Sequence, residues 1–84
     1  MESRSMNSQE LIGLFAEALE VEESALSPET RIADVEEWNS IGWLTIMSMV
    51  DEQLGVQIES KAIRGFQTVQ EVIDYLTAKT GATA

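Results

Sequence analysis

Apolar residues in this chain recur three and four positions apart, in separate runs, and nowhere alternate with period two over a useful length. Only helices bury such a pattern on one side. The last run is the clearest. Val69, Val72, Ile73 and Leu76 follow Thr68 and Glu71, which are spaced as a capping box, and Gly81 stands beyond them as a terminator. The first run carries Leu11, Leu14, Phe15, Ala18 and Leu19 behind Asn7 and Glu10, another cap with its partner three residues on. A middle helix is expected from Ser40 to Leu54, with Gly55 as its stop.

Between the first two helices, Glu20 to Asn39 breaks the periodicity. Ser27-Pro28 suits a cap followed by proline in a first turn, so one short helical turn is expected near Pro28 to Thr30. Leu26, Ile32 and Val35 are spaced to touch a core from a loop. A long ordered connection in so small a domain points to function. Val56 to Phe66, with Val56, Ile58, Ala62 and Ile63, reads as an extended piece and a short helix ended by Gly65. The expected fold is therefore all-α: a small bundle of three main helices plus a short third, with a long first loop. The domain is expected over residues 7–79, with a disordered tail at 1–6, where Met6 could itself be an initiator, and a flexible one at 80–84.

At about 100° per residue, Trp43, Ile46, Met47, Val50 and Leu54 share one arc of the middle helix. Thr45, Ser48 and Glu52 lie opposite, Leu44 and Met49 on the flanks. Ile41 falls on the polar side, an apolar residue on a face that periodicity gives to water.

The chain has 84 residues, enough for one domain that hides about 60–65% of the surface it exposes when unfolded. It has no cysteine and no histidine, so disulfides, thiolate metal sites and the usual nucleophile–base pairs are absent. Packing must supply the stability. Fifteen acids against five bases give a net charge of −10, which repels nucleic acid and anionic membrane and favours partners with basic patches. The polar opening lacks the form of a secretory signal, and the longest nearly apolar run, Ile41 to Met47, is too short to span a bilayer. A soluble cytoplasmic monomer is expected.

The carboxylate pairs Glu22-Glu23 and Glu36-Glu37 read as surface charge. Asp51 to Ala62 begins like a calcium loop but places Val56 and Ala62 where glycine and glutamate are required. Glycine-rich phosphate cradles are missing as well. No metal site and no enzyme of its own is expected. Ser40 stands apart. With Asn39 as N-cap it lies in a first turn, beside unpaired backbone N–H groups and the positive end of the helix dipole, where a phosphoester is favoured. Without a base it is a poor nucleophile, so another enzyme would have to install any modification. Spacing alone leaves an ordinary first-turn serine as the simpler account.

The run WNSIGWLTIMSMVDEQLGVQI, then a short helix, then TVQEVIDYL, resembles the acyl carrier protein family from about Asn7 to Leu76. The family's attachment motif is Asp-Ser-Leu, whose serine carries a 4′-phosphopantetheine arm; here it reads Asn39-Ser40-Ile41. The resemblance implies a free-standing carrier bearing that arm on Ser40, holding acyl groups as thioesters without doing chemistry itself. It implies a phosphopantetheinyl transferase as one partner, and acyl-transferring, ligating or condensing enzymes with basic or apolar docking patches as others. By position, Asn39, Ile41, Leu44, Thr45, Ser48, Glu52 and Ile58 would be read by those partners.

The departures are informative. Asn39 keeps the capping oxygen but drops a charge that the transferase is expected to read. Only Asp51 and Glu52 are acidic in the middle helix, and Gly42, Thr45 and Ser48 stand where charge or a bulkier contact would be usual. These imply a specialised lipid or polyketide-type carrier with a less ionic docking surface. Trp38 is expected to pin the loop, and Trp43 to fill the core where some carriers shelter an acyl chain, which would favour short or polar cargo. Met47, Met49 and Phe66 read as packing residues. An aminoacyl or peptidyl carrier of a nonribosomal-type pathway shares the fold and the serine, and an unmodified helical adaptor would share the fold alone.

Overall fold

The structure is a computed structural model that describes residues 7–80. Its helices are α1 (Ser8–Leu19), α2 (Ser40–Leu54), the short α3 (Ser60–Ile63) and α4 (Val69–Thr80), and no described residue lies in a strand. The all-α reading and the bounds of α2 agree with the sequence. Residues 1–6 and 81–84, with the expected N-terminal tail, the Gly81 stop and all of the expected 80–84 tail except Thr80, which ends α4, lie outside the described residues.

Helix α1 begins with the expected capping box: Asn7 Oδ1 accepts from the Glu10 N–H at 2.8 Å, and Glu10 Oε1 accepts from the Asn7 N–H at 3.0 Å. It ends in a left-handed turn at Glu20 (φ 60°), where the Val21 N–H reaches the Ala16 carbonyl and the Glu20 N–H the Glu17 carbonyl. Its buried face is wider than the expected stripe, because Ile12 and Ala16 are buried beside Leu11, Leu14, Phe15 and Leu19. A helix covered by partners on both sides has no need of a narrow seam. On α2, Ile46 and Val50 are fully buried, while Trp43, Met47 and Leu54 are half-buried against the core. Gly55 closes α2 at φ 69°, its N–H bonded to the Asp51 carbonyl.

The first loop is ordered by short local turns, among them 3-10 turns at Glu23–Ala25 and Ile32–Asp34. The expected helical turn at Pro28 is a β-turn instead. The Thr30 N–H bonds the Ser27 carbonyl at 3.0 Å, and the Thr30 hydroxyl accepts from the Ser27 N–H at 2.9 Å. With both side chains closing the turn locally, a helix gains nothing by continuing. Leu26 and Ile32 are buried and Val35 half-buried, as their spacing implied.

The loop is also laced to the start of α4. Ile32 N–H bonds the Gln67 carbonyl at 2.9 Å, Val69 N–H the Thr30 carbonyl at 3.0 Å, and Gln70 N–H the Pro28 carbonyl at 3.0 Å. These bonds displace half of the expected Thr68–Glu71 capping box. Thr68 Oγ1 accepts from the Glu71 N–H at a long 3.4 Å, but the Glu71 carboxylate turns to the Gln67 N–H at 2.6 Å. Loop carbonyls take the Val69 and Gln70 N–H groups, two of the donors that a first turn leaves over. Val69, Val72, Ile73 and Leu76 are all buried, as expected.

Candidate functional site

Ser40 is the first residue of α2 and is exposed. Its placement follows from the residues before it. Trp38 is buried between Phe15 and Trp43, at ring centroid distances of 5.4 and 5.3 Å, and anchors the end of the loop in the core. Asn39 then caps the helix, its Oδ1 accepting from the Gly42 N–H at 3.0 Å while its Nδ2 donates to the Glu36 carbonyl at 3.4 Å. The first helical bond runs from the Trp43 N–H to the Asn39 carbonyl at 2.8 Å. The N–H groups of Ser40 and Ile41 precede that ladder and are the donors that a first turn leaves over.

Those residues suit a covalent phosphoester. The hydroxyl faces solvent, two leftover N–H groups lie beside it, and the first turn of α2 contains no acidic side chain in a chain with fifteen of them. A phosphate there meets the positive end of the helix dipole, worth about 0.3–1 kcal/mol at an exposed site.

The outer face of α2 carries the other expected residues. Ile41 is 74% exposed and Leu44 65% exposed, and they are the exposed large hydrophobics among the described residues. Standing three apart, they share one face of the first turn. Ser48 and Glu52 continue that stripe as exposed residues. Thr45 is half-buried and spends its hydroxyl on the Ile41 carbonyl at 3.1 Å, leaving chiefly its methyl to a partner.

Ile58 departs from its expected place on this surface. It is 3% exposed, part of the core cluster, and forms the floor of a hollow of about 400 Å³ with Met47, Ser48, Asp51 and Gln57. The segment between α2 and α3 turns this side chain inward, into the core cluster. The exposed positions beside it are Gln57 and Glu59. A second hollow, about 320 Å³, lies between the end of α1 and the start of α2.

The five aromatic rings of the chain make one column. From Trp38 and Trp43 it continues to Phe66, stacked on Trp43 at 5.9 Å and 26°, and to Tyr75, edge-on to Phe66 at 5.4 Å. The sequence assigned Trp38, Trp43 and Phe66 to packing one at a time. Their contiguity has no one-dimensional signal, because α1, the loop, α2, the α3–α4 link and α4 each supply a ring. Buried glycine at position 42 was not anticipated either. Its signal was its small size inside a run of large residues.

Comparison with known proteins agrees with this geometry. The family model described as "phosphopantetheine attachment site" matches residues 9–76. A curated relative, the acyl carrier protein of Thermosynechococcus vestitus, is 26% identical over 81 residues, an alignment covering 92% of this chain and 100% of the relative. The matched span contains α2 and the whole ordered loop before it. The chain therefore belongs to the acyl carrier protein family, carriers rather than catalysts, whose prosthetic group is a covalently attached 4′-phosphopantetheine.

Proposed function

We propose that Ser40 carries the phosphopantetheine arm, and that this protein holds acyl groups there as thioesters for the enzymes of a specialised lipid or polyketide-type pathway in the cytoplasm. The observation that carries this reading is an exposed serine opening α2, in a first turn free of acidic side chains, within the family's matched span. In the loading step a bond forms from Ser40 Oγ to the donor's phosphorus as the donor's own P–O bond breaks. The hydroxyl proton goes to a base on the transferase, since this chain sets no base beside Ser40. Once bound, the arm supplies the thiol that forms the thioester, which accounts for a carrier without cysteine. Asn39 fixes the start of the helix, and the leftover N–H groups of the first turn favour the phosphoester.

The docking surface we assign to partner enzymes is Ile41, Leu44, Thr45, Ser48 and Glu52, with Asn39 at its edge. Its centre is apolar and its charge sits late in α2, which supports dedicated partners with apolar as well as basic patches. That the similar protein of Thermosynechococcus vestitus is an acyl carrier protein favours acyl cargo over aminoacyl cargo.

The test is co-expression of the full chain with a broad-specificity phosphopantetheinyl transferase, followed by intact mass. One prosthetic adduct in wild type and none in Ser40→Ala is the expected result. An adduct that persists in Ser40→Ala, or no adduct with any transferase, refutes the assignment.

A further inference from the structure

The first turn of α2 is packed against the end of the loop more tightly than a side chain would permit. Gly42 is buried, and a Cβ there would lie well inside contact distance of the Glu37 carbonyl oxygen and 2.7 Å from Leu19 Cδ2. A leucine methyl can swing aside, but a backbone carbonyl moves only with its chain. The same glycine donates its N–H to Asn39 Oδ1 at 3.0 Å. Two contacts at one residue thus hold the backbone just before Ser40: the Glu37 carbonyl pressed onto the Cα, and the Asn39 side chain on the N–H. The φ of Gly42 is not positive, so backbone freedom does not explain the glycine. Close approach does.

We infer that Gly42 is a positioning residue for Ser40: its missing side chain lets the Glu37 carbonyl close on the first turn of α2, and that closure sets where the Ser40 hydroxyl is presented. The inference rests on Ser40 as the attachment residue. The body of α2 is held separately by Ile46 and Val50, both fully buried. A methyl at position 42 therefore displaces Glu37 to Asn39, and with them Ser40 at the very start of the helix, rather than the body of α2. Ser40 moves relative to Ile41 and Leu44, and the hydroxyl is offered to the transferase off its line of attack while the docking face stays intact.

The experiment compares wild type, Gly42→Ala and Leu19→Ala, all full length, as substrates of a broad-specificity phosphopantetheinyl transferase at a temperature where each is folded by circular dichroism. Misplacement by about 1 Å costs up to about 100-fold in rate, so kcat for Gly42→Ala should fall about 10- to 100-fold with KM for the carrier unchanged. Leu19→Ala removes a buried side chain from the same contact and should melt earlier while keeping the wild-type kcat. Equal kcat for wild type and Gly42→Ala overturns the inference, and so does a loss in Leu19→Ala that matches it. Should Gly42→Ala not fold, backbone 15N relaxation of wild type decides. Residues 37–42 should show order parameters near about 0.85, as in a rigid helix, and values under about 0.6 overturn the inference. If wild type takes no adduct, the assignment of Ser40 falls and the role of Gly42 with it; an adduct with an unimpaired Gly42→Ala removes only the latter.

Discussion

Asn39→Asp places an aspartate before the serine, as in the family's Asp-Ser-Leu motif, and the geometry says what that should do. Asn39 uses both ends of its amide: Oδ1 accepts from the Gly42 N–H at 3.0 Å and Nδ2 donates to the Glu36 carbonyl at 3.4 Å. Aspartate keeps the first bond and strengthens it with charge, gaining about 0.3–1 kcal/mol from the helix dipole. It loses the second bond, at the long limit of a hydrogen bond and worth about 0.5 kcal/mol. It also turns an oxygen toward the Glu36 carbonyl and adds a third carboxylate after Glu36 and Glu37. A pair of like charges about 7 Å apart in water costs about 0.6 kcal/mol, less in physiological salt. With salt screening the two like-charge pairs, losses match or exceed gains, and the variant should be less stable by up to about 1 kcal/mol, a fall in melting temperature of up to about 8 °C. Urea denaturation and thermal melts at low and moderate ionic strength measure this. Asn39→Ser, which keeps a capping oxygen and adds no charge, should lose about 0.5 kcal/mol at either. An aspartate variant more stable by over about 1 kcal/mol would refute the reasoning, because the bond to Glu36 would then hold nothing. The same variant should be a faster transferase substrate than wild type, the restored charge acting in recognition and not in folding.

Gly55→Ala puts a Cβ on a residue at φ 69°, with open space around it, so strain alone acts; it should cost about 1 kcal/mol and lower the melting temperature by about 4–8 °C. Trp43→Ala breaks the ring contacts to both Trp38 and Phe66. Since the ring is half-buried, the loss by urea denaturation should be about 2–3 kcal/mol, below the about 3–5 of a fully buried aromatic. Ile41→Ala and Leu44→Ala, on exposed side chains, should change stability by less than about 0.5 kcal/mol yet raise the Kd for a cognate partner about fivefold or more each. That Kd should also rise only modestly between low and moderate salt, because the centre of the face is apolar.

How far the sequence could be read depended on whether the deciding contact was local. The capping box of α1, the span of α2 and the four buried positions of α4 all follow from residues within one or two turns of each other, and each stands where spacing placed it. Ile41 was legible for the same reason, as one apolar residue on the wrong side of a periodic helix. Ile58 was not, because its side chain is buried in a core made by distant elements, and no pattern within Val56 to Phe66 describes those partners. Nor did the sequence show that Glu71 would bond Gln67, a choice that depends on loop carbonyls some forty residues earlier in the chain. The tight seat of Gly42 belongs to this second class, since Leu19 and Glu37 approach it from different elements.

The lacing of the first loop to α4 bears on when, and not only where, this chain becomes a substrate. The hydrogen bonds from Ile32, Val69 and Gln70 join Pro28, Thr30 and Ile32 to residues that follow the serine by some thirty positions. A nascent chain can have made all of α2 and still lack the partners that fix the loop before it. The loop that ends at Ser40 is completed only as the last helix docks, after residue 70 has been synthesised and released. A transferase that reads this loop would therefore pass over unfinished or truncated chains, and prosthetic loading would double as an inspection of completed folding.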